Sequence, residues 1–165
     1  RQHENIRLVM EQIDSAVWQL NLYSGYLGVP ISDGVHYPYQ MADTTRTNQT
    51  NVYGEALDSC CTSPMTGFFR TGCCETSGDD TGVHTVCAIM TTEFLTFSKS
   101  AGNDLSTPMP QYGFAGLKDG DQWCLCASRW QEAFEAGHAP RVNLRATHVR
   151  TLEFVDLADL EKFAI

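Results

Sequence analysis

The chain has 165 residues, with 11 Lys and Arg against 20 Asp and Glu and a net charge of −9. That length buries one good core and leaves the remainder as an arm or thin extra layer, not a second full domain. The acidic field repels phosphate backbones and anionic lipids, so no nucleic acid is expected as a partner. The apolar runs are broken far short of the roughly 20 residues a membrane helix needs, so the chain reads as soluble with no transmembrane segment.

The sequence begins at Arg1 with neither methionine nor an apolar leader. This fits either a piece of a longer chain or a processed mature form, such as an organellar protein held within a larger assembly. Over residues 4–23, Ile6, Val9, Met10, Ile13, Ala16, Val17 and Leu20 recur at helical spacing and predict an amphipathic helix. Leu8, Trp18 and Leu22 fall on a different side and form a second apolar patch. Either both patches pack on the chain's own core, or the second one binds a partner together with Tyr37 and Tyr39 of the following loop. That loop, residues 25–39, carries Gly28-Val29-Pro30, Asp33-Gly34 and Tyr37-Pro38-Tyr39 and predicts an ordered but irregular path. Residues 41–51 are rich in Thr, Asn, Gln and Asp, the composition of a solvated connector. The plan is therefore an N-terminal helical arm and linker over residues 1–50, then a cysteine-rich domain over residues 51–165. Asn48-Gln49-Thr50 fits a glycosylation triplet, which matters only in a secretory lumen.

Within the domain, Val52 and its neighbours predict a short strand and turn leading to Cys60. Thr91 or Thr92 caps a helix carrying Phe94, Leu95 and Phe97, closed by Gly102. Period-2 alternation places Cys124 and Cys126 on one side of a strand and Trp123 and Leu125 on the other, the better candidate for the core. Trp130, Ala133 and Phe134 form the buried stripe of a second helix ending before Gly137. Residues 141–146 alternate like a half-buried strand, and a last helix runs from Asp156 to Phe163. Cys87 and Cys126, each followed six residues later by a glutamate, suggest a repeated strand-to-helix unit with each cysteine at the junction, a usual place for ligand sites. The fold class is α+β: one compact mixed domain with short strands and two or three helices.

All seven cysteines lie between Cys60 and Cys126. An odd count leaves one thiol outside any complete set of bridges and argues for reduced thiols. Cys73, Cys74, Cys87, Cys124, Cys126 and His148 supply enough soft ligands for zinc or an iron–sulfur centre, although paired Cys-x-x-Cys knuckles are missing. Packing is the competing role for at least half of these thiols. A bridge between separate segments is easier to form than one between neighbours such as Cys73 and Cys74. At least one of Cys124 and Cys126 is expected to contact Cys73, Cys74 or Cys87.

A thiol enzyme needs a nucleophile beside a base. The catalytic candidates are Cys73, Cys74, His84, Cys87, Asn103, Asp104, Ser106 and Arg129. His84 lies three residues before Cys87, so on a strand the two point to opposite faces and His84 must partner another segment's thiol, for example Cys73. Asn103, Asp104, Ser106 and Thr107 form a polar loop that either lines a pocket or closes on itself as an Asx-turn. Arg129 either binds an anion or pairs with Glu132.

The runs Pro64-Met65-Thr66-Gly67-Phe68-Phe69-Arg70-Thr71-Gly72-Cys73-Cys74, His84-Thr85-Val86-Cys87-Ala88, Gly102-Asn103-Asp104-Leu105-Ser106-Thr107-Pro108 and Gly120-Asp121-Gln122-Trp123-Cys124-Leu125-Cys126-Ala127 occur in that order. With Ala146-Thr147-His148, they resemble a mainly bacterial family, domain of unknown function twenty-two thirty-seven, over about residues 51–165. The resemblance implies no catalytic residues. It does not cover the arm, and Cys61 departs from the small residue the family tends to place there. The leading expectation is an accessory or interaction subunit that docks on other protein subunits through the arm. The alternative is a thiol- or metal-dependent enzyme, with zinc the candidate ion, whose site joins the cysteine strands to the 103–107 loop.

Overall fold

The computed structural model describes residues 49–165. The expected first helix, with Leu8, Trp18 and Leu22, and the loop bearing Tyr37 and Tyr39 lie outside the described residues. In chain order the elements are strand β1 (Val86–Ile89), helix α1 (Thr92–Ser100), strand β2 (Gln122–Leu125), helix α2 (Ala127–Glu135) and helix α3 (Leu157–Lys162). Short 3-10 turns lie at Pro110–Tyr112, Leu144–Ala146 and Val149–Glu153. The architecture is mixed α+β: a small two-stranded sheet and three helices among the described residues. No helix among them is long and apolar enough to cross a membrane.

The two strands pair antiparallel, with Val86 opposite Leu125, Cys87 opposite Cys124, Ala88 opposite Trp123 and Ile89 opposite Gln122. Since side chains alternate, this register gives the sheet two chemically different faces. Val86, Ala88, Trp123 and Leu125 enter the main core with Phe94, Trp130, Val142 and Leu160. Cys87 and Cys124 face the other way, into a small buried layer with Cys60, Cys74 and Ala146. The free edge of β1 is used too: Ile89 N–H donates to Arg141 O and Asn143 N–H donates to Cys87 O. Of the strand expected over residues 141–146, only Val142 holds a strand-like position, bridged to Ala88 and to Ala164. The Asn143 side chain then accepts from Arg145 N–H and turns the chain into a 3-10 helix, a local bond that competes with further pairing.

α1 is capped as its sequence requires. Thr91 is extended and its hydroxyl accepts from Phe94 N–H at 3.1 Å, while Asp119 Oδ1 accepts from Thr92 N–H at 2.8 Å. At its far end Gly102 takes φ +86°, a left-handed turn that lets Asn103 N–H return to Ser98 O. α2 starts at the residue after Cys126, directly where β2 stops. Its Trp130 is fully buried, stacks on Phe134, meets Phe163 edge-on and donates from its indole nitrogen to Pro140 O at 3.0 Å. α3 begins after Asp156 as the sequence suggests, but the Asp156 side chain makes no capping bond.

Trp130→Ala is expected to destabilise the domain by about 3–5 kcal/mol, from lost apolar burial and the cavity left behind. Thr91→Ala is expected to cost about 1 kcal/mol, the usual loss for a helix cap. Urea unfolding followed by far-ultraviolet circular dichroism separates the two: similar losses would show that α1 is held by its cap as firmly as the core is held by Trp130.

Candidate functional site

Four of the seven cysteines form two bridges, Cys60 to Cys87 and Cys74 to Cys124. The expectation of reduced thiols from an odd count is corrected by this arrangement: two bridges leave three free cysteines, Cys61, Cys73 and Cys126. Cys124 meets Cys74 as the strand geometry anticipated, and no bond joins neighbours in sequence. Both bridges tie irregular segments to the sheet, one to each strand, across 27 and 50 residues of chain. Loops of that size are worth about 3–4 kcal/mol each through the entropy they remove from the unfolded chain. Cys87 sits within β1 and not at the end of a strand, so the expected strand-to-helix position holds for Cys126 alone.

Cys126 occupies the N-cap of α2, is only 7 % exposed, and belongs to neither the apolar core nor the bridged sulfur cluster. Its neighbour is His84. The imidazole is 3 % exposed, and its Nδ1 meets Asp80 Oδ1 at 2.6 Å. The other nitrogen, Nε2, is buried and makes no fully formed hydrogen bond among the described residues. The Cys126 sulfur acts on the ring through charge and hydrogen bonding, and Nε2 is the nitrogen left to face it. Such bonds are often loose before substrate arrives and tighten only in the reacting complex. Asp80 is fully engaged: Oδ2 accepts from His84 N–H at 2.8 Å and from the Thr76 hydroxyl at 3.0 Å.

The turn that presents His84 is built for close approach. A Cβ on Gly82 would stand 2.5 Å from His84 Cε1, so only glycine lets the backbone lie against the ring. Phe68 stacks over the ring at a centroid distance of 6.2 Å. Val83 has φ +49°, a costly conformation for a β-branched residue, of order 1–3 kcal/mol. What holds it there is bonding on both sides: its N–H donates to Asp80 O, and its carbonyl accepts from Thr85 N–H and from Ala127 N–H at 3.0 Å. The Ala127 bond joins the histidine turn directly to the first residue of α2. The N–H groups of Cys126 and Ser128 at the same helix end have no hydrogen-bond partner among the described residues.

Electrostatics follow from this packing. Burial by itself pushes His84 down, but interaction with the Cys126 sulfur and with the Asp80 carboxylate overrides it and raises the pKa to about 10. Asp80 is pushed up by burial, yet its bonds to His84, the charge of His84 and the Thr76 hydroxyl hold it below the usual carboxylate range. His148 behaves in the opposite way. Burial and the nearby Arg150 lower its pKa, and its Nδ1 accepts from Arg150 N–H at 3.0 Å while Nε2 is buried with no hydrogen-bond partner among the described residues.

The other candidates disperse. Cys73 and Cys61 are half-buried and free, each next to a bridged cysteine. Asp104 closes its loop on itself, accepting from Ser106 and Thr107 N–H, from both their hydroxyls, and from Lys99 Nζ at 3.0 Å. Slight burial works against it, but these donors hold its carboxyl well below the usual range. Asn103 is tied to Ser98 through its backbone, with N–H donating at 2.8 Å and its carbonyl accepting the Ser98 hydroxyl at 2.7 Å. Arg129 pairs with Glu132 at 2.8 Å. His148 is engaged elsewhere, its backbone N–H donating to Thr85 O at 2.9 Å. Asp80 was missed by sequence reasoning: it sits in the polar run Ser77-Gly78-Asp79-Asp80-Thr81-Gly82, which reads as a solvated turn. The signal was the carboxylate four residues before a histidine.

The class defined by this geometry is a small bridged α+β domain that brings a free cysteine at a helix N-terminus to a buried His–Asp pair. The chain matches the family described as uncharacterized protein conserved in bacteria (DUF2237) over residues 50–164, and it belongs to that family. No curated protein matches it.

Histidine 84 is expected to remain protonated at pH 8 in nitrogen-15 NMR spectra of the imidazole, and Cys126→Ala is expected to lower its pKa by removing the sulfur's charge and hydrogen bond. A pKa raised from 6.5 means that the native state binds the proton more tightly than the unfolded chain. Stability from this group is complete below about pH 6.5 and is lost as pH rises through about 10. His84→Gln should therefore flatten the decline of the urea midpoint across that window; an unchanged decline would show that the pairing contributes nothing.

Proposed function

We propose that the domain is a cysteine-dependent enzyme of acyl-transfer type, with Cys126 as nucleophile, His84 as proton carrier and Asp80 as the group that orients the imidazole. One observation carries the reading: a free cysteine starts α2 and faces a buried histidine whose other nitrogen is held by a buried carboxylate. Nucleophile, base and orienting acid are the three parts such chemistry needs, and they are recognised by role, not by order in the chain.

The chemistry balances with these groups alone. The Cys126 sulfur attacks a carbonyl carbon with its proton already carried by His84 Nε2. The protonated ring then delivers that proton to the leaving group as its bond to carbon breaks. A water adds to the resulting thioester, giving one proton to His84, and the carbon–sulfur bond breaks with that proton left on the imidazole, which restores the starting pair. Negative charge on the carbonyl oxygen develops at the start of α2, where the Cys126 and Ser128 N–H groups are unspent and the helix dipole favours an anion.

This reading takes the nucleophile from the junction of β2 and α2 and its histidine from the loop before β1. It leaves out the 103–107 loop, whose polar groups are consumed by one another. Docking on other protein subunits rests on residues 1–48 and draws no support from the described domain.

With limiting iodoacetamide at fixed pH, Cys126 is expected to be alkylated before Cys61 and Cys73 despite being the least exposed of the three, as mapped by peptide mass spectrometry. His84→Gln should slow that reaction by about 100-fold or more, the usual scale for losing a positioned base. In parallel, a panel of activated esters and thioesters should be hydrolysed by the protein and not by Cys126→Ala. Equal or slower alkylation of Cys126, unaffected by His84→Gln, would overturn the assignment.

A further inference from the structure

The bridged sulfurs carry a second possibility that does not depend on Cys126. The sulfur atoms of Cys60, Cys74 and Cys87 all lie within 4.8 Å of one another, although they belong to two different bridges. Cys124 is bonded to Cys74 and stands directly opposite Cys87 on the neighbouring strand. A tetrahedral four-thiolate zinc site, with bonds of about 2.3 Å, sets its sulfurs about 3.8 Å apart. Separating each pair from the roughly 2 Å of a disulfide to that spacing needs a shift of under about 2 Å per bridge. Between the two bridges, the Cys74 sulfur already lies within 4.8 Å of those of Cys60 and Cys87, and Cys124 is carried to the cluster by its bond to Cys74.

The backbone suits such a change. Cys87 and Cys124 are fixed on β1 and β2, their N–H groups held by the Thr147 and Thr66 hydroxyls at 3.1 and 2.8 Å. Cys60 and Cys74 lie on irregular segments outside any helix or strand. All four are buried, and among the described residues Ala146 completes their layer. The pattern of free thiols points the same way. Cys61 and Cys73 each adjoin a bridged cysteine, so in a lastingly oxidised protein both bridges would stand open to exchange with a neighbouring thiol.

We propose that the reduced domain binds one zinc ion through Cys60, Cys74, Cys87 and Cys124, and that bridges and metal are alternative states of the same four sulfurs. A dithiol reductant of thioredoxin type gives two electrons and two protons to each bridge and is itself oxidised to a disulfide. The four thiols then release four protons as they take up the ion, so binding strengthens with rising pH.

The test uses the full chain, reduced with a phosphine under anaerobic conditions and titrated with cobalt(II), then zinc(II). Expected is one cobalt per chain with the intense visible bands of tetrahedral thiolate coordination, displaced by zinc. Cys87→Ser and Cys124→Ser should each weaken zinc binding by more than the roughly 10–100-fold typical of losing an outer-shell partner. Cys61→Ser, Cys73→Ser and Cys126→Ala should leave affinity and spectrum unchanged. The proposal is overturned if the reduced chain gives no tetrahedral cobalt spectrum, or if binding survives Cys87→Ser and vanishes in Cys61→Ser or Cys73→Ser. It is also overturned if reduction unfolds the chain and zinc does not restore its circular dichroism. Loss of esterase activity in Cys126→Ala with metal binding intact separates this site from the one at α2.

Discussion

The register of β1 against β2 is the constraint on which the rest of the domain depends. Setting Cys87 opposite Cys124 puts every sulfur of the bridges on one face and sends Val86, Ala88, Trp123 and Leu125 to the other. A slip of one residue would exchange the faces, burying cysteines against the helices and turning two large side chains into the sulfur layer. Only one register satisfies both, so the two bridges and the apolar core specify the same pairing. The same register fixes where β2 ends and so where α2 begins, which places Cys126.

The histidine turn then works against ordinary preferences. Burying a carboxylate and an imidazole is costly, and Val83 adds the strain of a positive φ; such terms reach several kcal/mol together. They are offset because every polar atom of Asp80 has a partner and because Val83 bonds to α2 through Ala127. Removing one partner of such a pair is more damaging than never having built it, since the remaining charge is stranded away from water. A purely structural role is met more cheaply by apolar packing. Strain, burial and an unfilled Nε2 all fall at the same few residues, where function is expected to depart from local rules.

Much of this was legible in the sequence where a single period or cap decides the outcome. Alternation around Trp123-Cys124-Leu125 sorted core from sulfur, and Thr91 announced α1. What stayed hidden depends on contacts between distant segments. The partner of His84 is Cys126, not Cys73, because Val83 O reaches Ala127 N–H and carries the whole turn to the start of α2. Nothing in the propensity of valine foretells a left-handed residue there. The strand expected over residues 141–146 failed for a local reason, the Asn143 side chain bonding its own backbone neighbour. The number of free thiols could not be had from parity, since seven cysteines allow any odd remainder.

Cys124 and Cys126 are two residues apart, yet they serve different neighbourhoods, and the backbone explains how. Within β2 they would share a face, but at Cys126 the chain is already leaving the strand, with φ −57° and ψ 133°, to begin a helix. Cys124 therefore stays in the layer with Cys60, Cys74 and Cys87, while Cys126 turns toward the histidine. That separation keeps the free Cys126 sulfur from pairing with the bridges beside it, which exchange would otherwise make the favoured fate of a free thiol. Cys124 and Cys126 nevertheless share the strand end from which α2 starts, one bridged to Cys74 and the other free.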